Sequence, residues 1–212
     1  MKSDYSHITM ILDRSGSMGA RRSDVVGGVN QFFKDQRTVP GECTVTVVQF
    51  DDQGPYDVLR DFARLADVAD IGDEYKPRGW TPLYDAVGRG IVNVGDHLSK
   101  MPEQDRPGKV IFVIVTDGLE NNSREYDKEK VAAMIKEQTE KYGWQFVYLG
   151  ANQDAMAEGA KFGVARGSSA TYKEEKTAGG ILLAGANVAK YRSSGNSEDL
   201  KFTDQQRKEL TS

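Results

Sequence analysis

Three short segments place oxygen-bearing side chains where a chain of this pattern turns. "ILDRSGSMG" carries Asp13, Ser15 and Ser17, "GWTPLYDAV" carries Thr81, and "VIVTDGLEN" carries Thr116, Asp117 and Gly118, with Asn121 and Asn122 beyond. Two carboxylates and several hydroxyls, with no histidine or cysteine among them, form an oxygen-only donor set. Such a set selects hard cations, and this mixture suits magnesium or manganese better than zinc, with calcium a further oxygen-loving candidate. Magnesium takes six ligands at ~2.0–2.1 Å and keeps waters, so five groups (Asp13, Ser15, Ser17, Thr81 and Asp117) leave room for water or an outside ligand. If the three hydroxyls coordinate directly and the two carboxylates act through water, the inner shell carries no protein charge. The ion then stays electrophilic and attracts an outside carboxylate.

Each segment also has a plain structural reading. Asp13 and Ser15 can shape a turn or cap the following helix, Thr81 before Pro82 is a good cap and first-turn pair, and Asp117 before Gly118 can simply end a strand. Their common setting decides for metal binding.

That setting is an α/β fold. "HITMILD", "CTVTVVQF", "KVIFVIVTD" and "WQFVYLG" are short apolar runs rich in β-branched or aromatic residues, and runs apolar at nearly every position predict strands covered on both faces. Between them, Val25, Val26, Val29, Phe32 and Phe33, then Leu83, Val87, Ile91, Val94 and Leu98, then Val131, Ile135, Thr139 and Tyr142 recur at helical spacing. "QDAMAEGAKFG" predicts a short helix closed by Gly163. This alternation implies a Rossmann-like, doubly wound, mainly parallel central sheet with helices on both faces. "PYDVLRDFARL" follows "QFDDQG" too closely for a helix to intervene, which predicts one antiparallel edge strand. "SSATY" offers a last short strand, and Ile181, Ala184, Val188 and Tyr191 a last large helix. Residues 1–192 read as a single domain and 193–212 as a linker and short helical tail, with Thr203 and Gln206 as a capping box. In such sheets ligands bind at the carboxyl ends of the strands, where strand order reverses; the three oxygen-bearing segments all stand there.

At this point a family resemblance enters. "LDRSGSM" resembles the DxSxS signature of von Willebrand factor type A (VWA) domains, "GWTPLYDAV" their threonine loop and "VIVTDGLEN" their later aspartate turn, in the expected order, over residues 5 to 192. The resemblance implies a metal-ion-dependent adhesion site (MIDAS) at Asp13, Ser15, Ser17, Thr81 and Asp117, completed by an Asp or Glu of a protein partner. Trp80 departs from the family pattern, in which a small residue commonly precedes the threonine; it either walls the ligand groove or packs on the surface. The compactness of the chain resembles stand-alone bacterial and phage versions.

The 212 residues are 38% hydrophobic and 28% charged, with a net charge of −4, which argues against nucleic acid as the partner. The pairs Arg21 with Arg22, Lys76 with Arg78, and Arg106 with Lys109 read as solvated surface; Asp51 and Asp52, which close the second strand, are placed to touch the edge of the oxygen site but read first as a solvated loop. Cys43 alone permits no internal disulfide and reads as a packed strand residue. The longest apolar run, "VIFVIV", is too short to span a membrane, and "MKSDYSHITM" is no secretory signal; a cytoplasmic protein is expected, with a virion component conceivable. His7, placed before the first strand, and His97 read as structural or surface. The leading functional expectation is a metal-dependent protein-binding module for adhesion or assembly, and not an enzyme. A metal-assisted phosphoester hydrolase and a nucleic-acid-binding protein stand as alternatives. Oligomeric state is left open.

Overall fold

Strands that are apolar on both faces need a layer of helices on each side, and the chain supplies both. The structure is a computed structural model that describes residues 1–151 and 154–212. Among these, six strands form one sheet: β1 (Lys2–Asp13), β2 (Glu42–Asp51), β3 (Gly54–Arg64), β4 (Pro107–Thr116), β5 (Gln145–Ala151) and β6 (Ser169–Tyr172). The order across the sheet is β3-β2-β1-β4-β5-β6. Every neighbouring pair is parallel except β2 and β3, the expected antiparallel edge.

Six α-helices accompany the strands among the described residues: α1 (Arg22–Arg37), α2 (Leu83–Ser99), α3 (Lys128–Tyr142), α4 (Ala155–Lys161), α5 (Thr177–Ser194) and α6 (Asp204–Thr211). Alternate side chains of each strand serve opposite layers. Ile8, Met10 and Leu12 of β1 join Val25, Val29 and Phe32 of α1 and Ile181 and Val188 of α5. Ile11 of the same strand joins Leu83, Val87 and Ile91 of α2 and Val131 and Ile135 of α3. The predicted short helix corresponds to α4; its proposed first residue, Gln153, lies outside the described residues. Gly163 follows its end at φ +95°. Residues 193–212 pack onto the first of the two cores: Leu200, Phe202 and Leu210 are buried there, and α6 opens with the Thr203–Gln206 capping box. Among the described residues no helix is long and apolar enough to cross a membrane.

The parallel order has one consequence for function. From β1 the chain moves outward to β2 and β3, then crosses back to β4 on the other side of β1. The switch in direction leaves the carboxyl ends of β1 and β4 side by side, with Leu12 in register with Val115.

β1 begins at Lys2 rather than His7, so His7 is an interior strand residue with a fully buried ring. Its Nδ1 lies 2.9 Å from Thr44 Oγ1 and its Nε2 3.1 Å from Thr9 Oγ1. The ring stacks on Phe62 at 3.9 Å between centroids, and Phe62 stacks in turn on His97 at 3.5 Å. Phe62 adopts φ +42°, where the β2–β3 register shifts, and the resulting bulge aims its ring between the two imidazoles. Burial, reinforced by the nearby His97, pushes the His7 imidazole down to about 3. Between its ordinary value of 6.5 and about 3, the unfolded chain binds a proton at His7 that the native chain refuses. This group therefore removes stability as pH falls through that window. In urea unfolding at a series of pH values, His7→Asn, which does not titrate, is expected to gain on the wild type by up to about 1.4 kcal/mol per pH unit on acidification from 6.5. A pH-independent difference between the two proteins would sink this assignment.

Candidate metal centre

Asp13 ends β1 and is completely buried. Its Oδ1 accepts a hydrogen bond from the Ser15 backbone N–H (2.7 Å), and its Oδ2 accepts one from Thr116 Oγ1, the last residue of β4 (2.6 Å). The first bond bends the chain back at the strand end, so that Ser15 and Ser17 come to one point with their Oγ atoms 3.1 Å apart. Ser17 Oγ then donates to Asp117 Oδ1 at 2.7 Å. A continuous line of oxygens thus runs from Asp13 through Ser15 and Ser17 to Asp117. Asp13 and Ser15 form its buried floor and Ser17 its exposed end.

Thr81 completes the group from a third loop. Gly118 backs directly onto it, because a Cβ there would stand 3.3 Å from Thr81 Oγ1. Asn121 fixes the loop from both sides: its Oδ1 accepts from Thr81 N at 2.9 Å, and its own N–H donates to the Thr81 carbonyl at 3.2 Å. Thr81 does not cap α2; the N-cap is Pro82, without a side-chain cap. The start of α2 and the β4–α3 loop are held together by one acid from each. Glu120 accepts from the backbone N–H of Tyr84, and Asp85 accepts from those of Arg124, Glu125 and Tyr126. The structure therefore brings all five expected residues into one neighbourhood, four of them through direct hydrogen bonds.

Electrostatics divide the two carboxylates. Burial raises the Asp13 carboxyl to about 6 against the lowering effect of its Thr116 and Ser15 bonds. Burial also raises Asp117, opposed by Ser17 and by the charge of Arg21. Arg21 is where the sequence reading fails. Instead of lying on the solvated surface it is buried, donating from Nη1 to Asp117 Oδ2 and to the Ser17 carbonyl, and pairing through Nη2 with Glu174. Its neighbour Arg22 is half-buried and ties the Tyr75 and Gly72 carbonyls to α1.

Further residues support the site, and the two phenols among them carry no sequence signal of their own. The Tyr75 hydroxyl donates to the Asp13 carbonyl at 2.5 Å and the Tyr172 hydroxyl to the Thr116 carbonyl at 3.1 Å, so both strand ends are pinned by buried phenols. Asp51 is buried rather than solvated and pairs with Arg14 and Arg78, each at 2.7 Å. Asp52 accepts from the Trp80 N–H at 2.8 Å. The Gly16 N–H donates to the Gly79 carbonyl at 3.0 Å, joining the DxSxS turn to the threonine loop. Trp80 itself is 62% exposed and Leu119 57%, so an aromatic and an aliphatic side chain stand free on two loops of the site.

No family model and no curated protein matches the sequence, but solved structures match the architecture. The vWF domain of the type V pilus tip protein Mfa5 from Porphyromonas gingivalis aligns with a TM-score of 0.61 at 11% identity, covering 92% of this chain and 97% of that one. The pilus adhesin SpaC from Lactobacillus rhamnosus GG aligns at 0.64 and 14% identity, covering 89% and 30%. Proximal thread matrix protein 1 from the mussel byssus aligns at 0.57 and 18%, covering 85% and 46%. The chain has the von Willebrand factor type A fold. It spans less than half the length of the byssus protein and under a third of SpaC, so the VWA fold is what the likeness shows. A further byssus protein structure, at TM-score 0.51 and 19% identity, has a zinc-occupied MIDAS motif.

Among the described residues of this VWA fold no three His, Cys, Asp or Glu side chains converge as a metal cluster. The donor set, with two carboxylates and three hydroxyls, fits a hard divalent cation rather than a soft one.

Gly79 offers a test of how tightly the loops are locked. It adopts φ +68°, and a Cβ there would stand 1.9 Å from Asp52 Oδ1. Gly79→Ala is expected to cost about 1–2 kcal/mol through the left-handed backbone and the displaced Asp52. A thermal melt should therefore fall by roughly 2–8 °C; an unchanged melting temperature would show that the loop is free to move.

Proposed function

We propose that this VWA chain is a metal-dependent protein-binding module, not an enzyme, in which Ser15, Ser17 and Thr81 hold a magnesium or manganese ion directly and Asp13 and Asp117 hold it through water. The observation that carries this reading is Asp13: a fully buried carboxylate with hydroxyl and amide donors, to which no lysine or arginine is paired among the described residues. A buried anion of that kind is costly until a cation compensates it. When bound, the ion supplies a Lewis-acidic position for an outside oxygen, and an Asp or Glu of a partner protein is the ligand that suits it. Trp80 and Leu119, exposed on two loops of the site, would flank that acid with apolar contact.

Two observations favour binding over catalysis and over nucleic acid. Both histidines are engaged with Phe62, leaving the oxygen site without an imidazole for proton transfer. Two arginines of the site, Arg14 and Arg21, are committed to internal carboxylates, and the net charge is −4.

Metal at about a hundred times its dissociation constant should add about 2.7 kcal/mol of stability, a rise of roughly 5–11 °C in the thermal melt. Asp13→Asn should abolish the rise. The variant should still fold, because the Thr116 hydroxyl can turn its proton to the Gly118 carbonyl, 3.1 Å away, and accept from the new amide. A metal-induced rise that survives in Asp13→Asn would refute the site.

Partner capture gives a separate check. In a magnesium-dependent pull-down, Trp80→Ala should weaken partner binding by about 1–2 kcal/mol and leave the metal-induced shift in melting temperature as it is in the wild type. Equal capture by both proteins would remove Trp80 from the interface.

A further inference from the structure

The arginine buried behind Asp117 is not one of the oxygen donors, yet it bonds two of the residues that carry them, Ser17 and Asp117. Its side chain is 8% exposed, against 2% for Asp117 and 50% for Glu174. Nη1 serves Asp117 Oδ2 and the Ser17 carbonyl, Nη2 serves Glu174, and the buried Nε makes no hydrogen bond. Asp117 is thereby committed at both oxygens, one to Ser17 and the other to the guanidinium. A guanidinium is charged at every accessible pH, so a permanent positive charge stands one residue away from the position assigned to a divalent cation.

We infer that Arg21 sets how tightly the site holds its metal: it neutralises Asp117 from within the protein, keeps the oxygen donors assembled without a cation, and weakens metal binding by charge repulsion. The inference rests on the metal reading above. Like charges at such range repel appreciably in a partly buried site, while Glu174, pairing with the outer edge of the guanidinium, offsets part of that charge. The balance differs from that at Asp13, whose hydrogen bonds come from neutral groups. Of the two carboxylates, Asp13 therefore offers an incoming cation an uncompensated charge and Asp117 a neutralised one.

A purely architectural role for Arg21 makes the opposite forecast, which makes the idea testable. If the guanidinium only held Asp117 in place, weakening either of its acidic contacts would loosen the site, and both Arg21→Gln and Glu174→Gln would bind metal more weakly. On the charge-balance account the two variants move in opposite directions. Titrating metal-free protein with Mn²⁺ and following the electron paramagnetic resonance signal of the free ion measures this without any partner. Arg21→Gln is expected to bind Mn²⁺ about tenfold more tightly than the wild type, and Glu174→Gln about threefold more weakly. Arg21→Lys, which keeps the charge, should stay within about twofold of the wild type. Thermal melts add a second readout: without metal Arg21→Gln should melt below the wild type, and saturating Mn²⁺ should raise its melting temperature by more than it raises the wild type's.

Unchanged or weaker Mn²⁺ binding in Arg21→Gln would overturn the inference. If that variant does not fold, Arg21→Met, which keeps the apolar stem and drops the charge, takes its place, with unchanged or weaker Mn²⁺ binding again overturning the inference; unchanged or tighter binding in Glu174→Gln overturns it equally. Failure of the metal reading looks different: the wild type itself would then show no Mn²⁺ binding that Asp13→Asn removes.

Discussion

The hydrogen bond from Thr116 Oγ1 to Asp13 Oδ2, 2.6 Å long, ties the ends of β1 and β4 at the point where the sheet changes direction. Parallel strands on either side of such a switch leave an opening at their carboxyl ends, and here a buried carboxylate lies at its base. Burying that carboxylate requires donors within the protein. The Ser15 amide and the Thr116 hydroxyl supply them, and in doing so they set the turn that presents Ser15 and Ser17. The local backbone geometry of the site thus follows from satisfying one buried acid.

Holding that turn requires the surrounding loops to be stiff, since a hydroxyl–hydroxyl contact such as Ser15 to Ser17 has little strength of its own. Stiffness comes from acids and phenols that never reach the oxygen cluster. Asp51 gathers Arg14 and Arg78, Asp52 and Gly79 lock the approach to Trp80, Glu120 and Asp85 stitch α2 to the β4–α3 loop, and Tyr75 and Tyr172 pin the two strand ends. These are charge-assisted or buried bonds, stronger than average, and they surround an otherwise polar, solvent-facing edge. Rigid supports around donors of which Ser17 alone is exposed keep such a site organised before any ligand arrives.

The mainly parallel sheet, its antiparallel edge and the nearness of Asp13, Ser15, Ser17, Thr81 and Asp117 were legible because they depend on local signals: apolar runs, turn residues and the spacing of short polar side chains. Arg21 and Asp51 were not, for a common physical reason. An arginine beside another arginine, and an aspartate beside another aspartate, carry the composition of solvated surface, and only a partner distant in the chain makes burial affordable. Arg21 meets Asp117 and Glu174; Asp51 meets Arg14 and Arg78. Neither pairing leaves a periodicity to find. His7 was misplaced for a different reason: β1 extends back to Lys2 through the polar stretch "KSDYS", where pairing with β2 and β4 overrides a weak intrinsic strand preference. Gly79 was equally silent, since its φ of +68° and the Asp52 oxygen against it are properties of the assembled loops.

The two acids at the sheet edge are chemically alike and physically unequal. Asp13 is enclosed by neutral donors and keeps its charge uncompensated, while Asp117 shares its charge with Arg21, itself held by Glu174. Had both been left bare, mutual repulsion and burial would favour protonation of one of them, and the hydroxyl line between them would lose an anchor. Had both been paired with arginines, no negative charge would remain to draw in a cation. Pairing only Asp117 leaves the uncompensated negative charge concentrated on the buried floor beneath Ser15, while Ser17 stays at the exposed end. On the metal reading proposed above, an opening with a fixed anion below, a fixed cation to one side and the exposed Trp80 and Leu119 on its loops would suit an acidic group presented on an apolar surface.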